Sequence, residues 1–222
     1  MTLNGAADVA SGLRITEIFL SIQGESTTVG WPTVFVRTTG CPLRCQYCDT
    51  AYAFSGGERM SLAEIRTRVA AFGARHVTVT GGEPLAQTAT CDLLTQLCDD
   101  GFKVSLETSG AIDLAAVDAR VMQVVDIKTP GSGEVARNLW TNLAYLRAGD
   151  QLKFVICDRA DYAWSAAQVA QMVLPSDVEI LFSPSYETVS ARTLAEWILA
   201  DRLPVRLQIQ LHKYLWGNEP GR

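Results

Sequence analysis

The sequence predicts an α/β fold, a truncated parallel (β/α) partial TIM-like barrel, on three observations. From residue 30 onward, short β-branched runs alternate with helical patterns; such alternation makes a mostly parallel sheet with right-handed crossovers. The runs are apolar almost throughout, as in V-T-V-T, L-K-F-V-I and V-E-I-L-F, which predicts strands covered on both faces. At 222 residues the chain is short for eight βα units. A truncated barrel therefore fits better than a complete one, with an open doubly wound sheet as the other closure.

Strands are expected over residues 33–37, 76–80, 103–107, 121–127, 151–156, 178–182 and 205–210, and helices over 61–72, 88–100, 114–120, 135–147, 162–173 and 190–200. The first helix opens with Ser61 and Glu64, the spacing of a capping box. The second stops at Gly101, a natural terminator. No linker separates two domains, so one domain covering 1–222 is expected, with residues 1–13 as a loosely ordered extension. The unusual polar segments all follow strands: Gly40–Cys41, Gly81–Pro84, Glu107–Gly110, Lys128, and His212 with Lys213. C-terminal strand ends are where such sheets gather their chemistry.

Composition narrows the function. Hydrophobic residues at 48% and charged residues at 19% exclude a disordered or collagenous chain. A net charge of −5 argues against a broad nucleic-acid-binding surface. No stretch approaches the roughly 18 apolar residues of a membrane span, and the N-terminus has no secretory pattern. A cytoplasmic protein without nucleic-acid or membrane partners is expected.

Six cysteines in a reducing compartment do not predict a disulfide framework. Cys91, Cys98 and Cys157 are scattered and read as small buried hydrophobes. Cys41, Cys45 and Cys48 instead form C-x3-C-x2-C, close enough to wrap one small object. Structural zinc normally closes with a fourth Cys or His, and the only histidines, His76 and His212, are remote in sequence. A tetranuclear iron–sulfur cluster on three cysteines leaves one iron open to another ligand. Spacing alone leaves the zinc alternative open.

The triplet after a strand, followed by Gly81-Gly82-Glu83-Pro84 after another, resembles the radical S-adenosylmethionine (SAM) superfamily. Within it, E-I-F-L-S-I-Q-G-E-S over 17–26, Arg37 in V-F-V-R-T-T-G-C, C-D-T closing the triplet, and L-Q-I-Q-L-H-K-Y-L-W-G over 207–217 resemble the 7-carboxy-7-deazaguanine synthase family along nearly the whole chain. The resemblance implies a partial barrel of the radical SAM type and a radical carbon–nitrogen lyase. That lyase contracts 6-carboxy-5,6,7,8-tetrahydropterin to 7-carboxy-7-deazaguanine with loss of ammonia, on the way to 7-deazapurines such as queuosine. It implies a [4Fe-4S] cluster, SAM and Mg2+ as cofactors, a homodimer, and a flavodoxin- or ferredoxin-like electron donor.

Residue by residue, the resemblance places the cluster on Cys41, Cys45 and Cys48 and magnesium at Thr50. SAM falls to Tyr47, Cys48, Asp49, Gly82, Glu83, Asp126, Ile127, Lys128, Ser183 and Pro184. The substrate falls to Ile22, Gln23, Gly24, Glu25, Arg37, Thr80, Glu107 and His212. Glu25 suits ring N–H groups, and the Arg37 fork suits a carboxylate; a structural ion pair is the other reading of Arg37, and a satisfied core residue that of His212. At 126–128 many relatives have Ser-Pro-Lys where this chain has Asp-Ile-Lys, and Ser183-Pro184 stands in place of Gln-Pro. A glycyl-radical-enzyme activating enzyme shares the cysteine spacing but has little use for Gln23, Glu25 and Arg37. A non-catalytic zinc or iron–sulfur interaction module is the third possibility.

Overall fold

A computed structural model describes residues 12–186, 188–219 and 221. Nine strands form one sheet in the order β3-β1-β2-β4-β5-β6-β7-β8-β9. They are β1 (Gly12–Ile22), β2 (Pro32–Thr38), β3 (Glu58–Ser61), β4 (His76–Gly81), β5 (Lys103–Thr108), β6 (Met122–Ile127), β7 (Gln151–Ile156), β8 (Glu179–Pro184) and β9 (Arg206–Leu207). From β2 to β9 the ladder is parallel, and after β2 and β4 each strand pairs with the next in sequence. Sequential order with crossovers of one hand puts every crossover on the same face. The sheet therefore curls as a partial barrel and has no switch point, which removes the doubly wound alternative. Two antiparallel strands, β1 and β3, extend the β2 edge.

The described residues include α1 (Leu62–Ala71), α2 (Thr90–Asp99), α3 (Arg159–Gln171) and α4 (Ala191–Asp201), which follow the sequence signals closely or partly, and α5 (Leu211–Trp216), which was not expected. Ser61 and Glu64 close the capping box reciprocally. Past α2, Gly101 lies at φ +88° and Phe102 N–H donates back to Leu97 O at 3.2 Å. Among the described residues no helix is long and apolar enough to cross a membrane.

Five expectations need correction, four of them local. Residues 114–120 and 135–147 are turns and short 3-10 segments, not helices. Their Asp and Asn side chains take the backbone partners a helix needs. Asp113 and Asp118 accept from Ala115 and Arg120 N–H, Asn138 pairs both backbone groups of Lys128, and Asn142 bridges Leu114, Gly110 and Ile112. Second, the last strand is only two residues, and His212 lies in the first turn of α5 instead of ending a strand. Third, the extension expected over 1–13 lies outside the described residues up to 11, while Gly12 and Leu13 open β1 and Leu13 is fully buried. Fourth, Cys91, Cys98 and Cys157, read as small buried hydrophobes, are half-buried, with Cys91 and Cys98 packed against the core.

The strands are also not apolar on both faces. Val34, Val36, Val77, Val79, Leu106 and Phe154 pack into one core with the helices. The alternate positions of the same strands, including Arg37, Thr80, Glu107, Asp126, Lys153 and Ser183, line a cavity on the inner face. Side chains alternate along a strand, so each run carries one core face and one site face.

Candidate active site

The inner cavity holds about 680 Å3. Its rim is built by the loop after β2, which carries all three cysteines of the triplet. Backbone bonds hold this loop beside the Gly-Gly-Glu-Pro turn: Gly82 N–H donates to Thr38 O at 3.2 Å and Glu83 N–H to Gly40 O at 2.8 Å. A Cβ at Gly82 would collide with Gly40 O and approach the Cys41 Cβ to 2.9 Å. Only glycine allows the turn this close to the cysteines.

The residues present fit a cluster with a bound organic partner. All three thiols border one cavity, yet among the described residues no three His, Cys, Asp or Glu side chains converge on a single-ion site. The cavity that the triplet borders has room for a cluster and an organic partner. Burial pushes the Cys45 thiol up to about 11, against the opposing pull of the nearby Lys128 ammonium. Along the same wall, the Tyr47 hydroxyl and Asp126 Oδ1 are buried with no hydrogen-bond partner among the described residues. Orphaned buried polar atoms are costly, and both atoms belong to positions expected to meet SAM. Lys128 pairs with the other oxygen of Asp126 at 3.0 Å.

Adjoining that wall, Lys153 belongs to a network of carboxylates and amides. Lys153 Nζ contacts Glu25 Oε2 at 2.9 Å, Gln208 Nε2 donates to the same oxygen at 3.1 Å, and Gln210 Nε2 to Oε1 at 2.9 Å. Burial by itself would raise the Glu25 pKa, but the Lys153 charge and the Gln210 bond outweigh it, leaving it below the ordinary value. Glu107 goes the other way: burial, with the Glu25 charge adding to it, holds its carboxyl above the ordinary value despite Lys153 and Arg37. Gln23 Nε2 reaches Thr78 Oγ1 at 3.1 Å and Glu107 Oε1 at 3.4 Å, and Thr80 Oγ1 donates to Glu107 Oε2 at 3.3 Å.

Arg37 stands at the third side. Its Nε donates to Glu17 Oε1 at 2.7 Å, and the Tyr52 hydroxyl donates to the same oxygen at 2.7 Å. The ion pair weighed as the other reading of Arg37 is thus present. It engages only Nε, and the two terminal nitrogens make no hydrogen bond among the described residues. The pair orients the fork without saturating it.

Comparison with known proteins bears on this geometry. The model of the radical SAM superfamily matches residues 35–123. The 7-carboxy-7-deazaguanine synthase of Chlorobaculum tepidum is 47% identical over 92% of this chain and 94% of its own length. The chain belongs to the 7-carboxy-7-deazaguanine synthase family. The Koribacter versatilis member is 41% identical over 93% of this chain and 98% of its own length. The crystal structure of QueE from Escherichia coli superposes with a TM-score of 0.74, covering 96% of this chain and 100% of that one at 23% identity, which speaks to the fold.

Of the positions the family resemblance marks, most line the one cavity, from Ile22 and Gln23 on β1 and its loop to Ser183 and Pro184 on β8. Three do not. Ile127 points into the hydrophobic core. Gly24 packs behind the wall: a Cβ there would collide with the His212 imidazole, and Leu211 N–H donates to Gly24 O at 3.0 Å. It thereby lets α5 set His212 against the cavity. Glu83 is fully buried, and its carboxylate accepts from Leu85 N–H, Thr108 Oγ1 and Ser109 N–H at 2.9, 3.0 and 2.7 Å. Its side chain ties the turn to the end of β5, and the glycines Gly81 and Gly82 are what face the cavity. Glu83→Ala should leave these buried donors unpaired and cost about 3 kcal/mol, read as a lowered urea midpoint.

The Thr50 hydroxyl donates to Asp49 Oδ1 at 2.9 Å. Burial opposes ionisation of Asp49, but the Lys213 ammonium at 3.1 Å and its hydrogen bonds hold its pKa at about 2. Sequence reasoning missed Glu17, Lys153, Gln208, Gln210 and Lys213 as site residues. The available signal was a lone charge in an apolar strand run for Lys153, and period-two glutamines in L-Q-I-Q-L. Pro220, in the tail, lies outside the described residues.

Proposed function

We propose that this chain acts as a 7-carboxy-7-deazaguanine synthase, contracting 6-carboxy-5,6,7,8-tetrahydropterin to 7-carboxy-7-deazaguanine with loss of ammonia. The observation that carries the reading is one cavity bordered by the cysteine triplet that also presents a half-free arginine fork and, apart from it, a buried anionic acceptor. A planar bicycle with a carboxylate at one end and N–H donors at the other has that complementarity.

The cluster, when bound, supplies the electron that cleaves SAM reductively and so starts the radical chemistry. The protein groups bind and orient. Arg37, steadied by Glu17, takes the substrate carboxylate with its terminal nitrogens. Glu25 accepts from the pyrimidine N–H groups, and Gln23 holds its backbone N–H at 3.1 Å. Glu107, whose pKa is raised by burial and by the neighbouring Glu25 charge, is the carboxyl of the two that takes a proton more readily. Cys41, Cys45 and Cys48 hold the cluster; Asp126, Lys128 and Tyr47 face SAM. A magnesium ion, when bound, would be held by Thr50, with the substrate carboxylate and waters supplying the rest. The same reading includes a homodimer, a flavodoxin- or ferredoxin-like donor, and a cytoplasmic location.

The test is anaerobic turnover of the reconstituted enzyme with dithionite, SAM, magnesium and the carboxytetrahydropterin, read by mass spectrometry. Accumulation of 7-carboxy-7-deazaguanine is expected. Formation of 5′-deoxyadenosine without that product would keep the radical chemistry and overturn the substrate.

A further inference from the structure

Within β7, Gln151–Ile156, Lys153 is the single charged residue. Its neighbours Leu152 and Phe154 point into the core, and its own side chain points into the cavity, 12% exposed. A buried ammonium is tolerated only where anions and hydrogen bonds compensate it. Here Glu25 Oε2 lies at 2.9 Å and Asp126 Oδ2 at 3.8 Å. These carboxylates belong to different parts of the site. Glu25 comes from the loop after β1, on the substrate side; Asp126 comes from β6, on the SAM side, in register with Lys153.

The two do not depend equally on Lys153. Asp126 has a second and nearer cation, Lys128 at 3.0 Å. Glu25 has no other cation in salt-bridge contact among the described residues. Its remaining partners are the neutral amides of Gln208 and Gln210. With three donors on a carboxylate that accepts about four, acceptor capacity is left for a ligand N–H.

We propose that Lys153 is the positioning residue of the substrate-reading wall: its ion pair keeps Glu25 charged and fixed as the acceptor for the pterin edge, while Lys128 serves the SAM side. This inference rests on the ring-contraction reading above. Glu25 is faced by Lys153 from β7, Glu107 from β5 and His212 from α5, with Asp126 of β6 and Arg37 of β2 acting on the same group of charges. Removing the ammonium leaves burial and the Glu107 carboxyl acting on Glu25 with less opposition. Glu25 then takes up its proton at a higher pH than in the wild type, and ligand binding becomes weaker as pH falls. Burial lowers the pKa of the His212 imidazole, against the pull of Glu25 and Asp49.

The test is binding of 6-carboxypterin, a fluorescent oxidised analogue of the substrate, to the SAM-loaded, cluster-reconstituted enzyme between pH 6 and 9, corrected for the ligand's own titration. Lys153→Gln should weaken binding at least about tenfold at pH 7 and approach the wild-type affinity at pH 9, with SAM affinity within about threefold of wild type. Lys153→Arg, which keeps the charge, should stay near wild type. In a Glu25→Gln background, adding Lys153→Gln should change affinity less than about twofold and add no pH dependence, because the group through which Lys153 acts is gone. That background also serves if the single variant does not fold. SAM affinity falling as far as pterin affinity, or a tenfold further loss in the Glu25→Gln background, would overturn the proposal. If the wild-type enzyme binds no pterin, the functional reading falls and takes this inference with it. If wild type binds and Lys153→Gln matches it at every pH, only the inference falls.

Discussion

Cys45→Ala should abolish product formation while leaving the fold intact. Iron and sulfide after anaerobic reconstitution should drop to background, with activity down by more than about 10^3-fold, since uncatalysed references lie 10^6-fold or more below enzymatic rates. The fold should survive because backbone and neighbouring side chains shape the loop without the Cys45 thiol. Leu43 is buried at its centre, Arg44 donates to Cys41 O and Leu43 O at 2.7 and 2.6 Å, and Gln46 N–H bonds Ser132 O at 3.0 Å. With its pKa near 11, the unliganded thiol is neutral at pH 7, so its removal strips no charge from the cavity. Circular dichroism and the urea midpoint should match wild type. A Cys45→Ala protein that retains iron and turns over would remove the cluster from the triplet.

Arg37→Ala should lower kcat/KM for the carboxytetrahydropterin by about two to three orders of magnitude, the size expected when one partner of a buried, hydrogen-bonded charge pair is truncated (about 2–5 kcal/mol). Part of the loss is the substrate carboxylate left without its fork; part is Glu17, which keeps only the Tyr52 hydroxyl among its partners on Oε1. Arg37→Lys should recover only a fraction. An ammonium has no second edge with which to hold Glu17 and grip a carboxylate bidentately at once. The effect should fall mainly on pterin KM and leave SAM KM within a few-fold. A pterin KM unchanged in Arg37→Ala would place the carboxylate elsewhere.

Much of the architecture was legible because its signals are local. The capping box at Ser61 and Glu64, the stop at Gly101 and the β-branched strand runs each depend on residues a few positions apart. The same locality explains the two failed helices. Apolar periodicity over 114–120 and 135–147 was visible, but Asn142 of the second segment satisfies backbone groups in and beside the first, 28 to 32 residues away in sequence, and no window centred on either segment contains both partners. His212 was placed at a strand end because L-Q-I-Q-L-H alternates; among the described residues the pairing with β8 spans Arg206 and Leu207 and ends at the Gln208 N–H, which donates to Phe182 O at 2.9 Å.

For the site, the sequence by itself determined the triplet, the glycine turn and the residue types that suit a pterin, because spacing and covalent order suffice for those. Only the tertiary structure decided which charges meet. Whether Arg37 was free or paired, why Glu25 and Glu107 shift in opposite directions, and that Glu83 turns inward all follow from contacts across 20 to 128 residues of chain. Such contacts are set by strand register. A shift of one residue would exchange the core and cavity faces of a strand, so neighbours in the cavity are a property of the sheet and of no single segment.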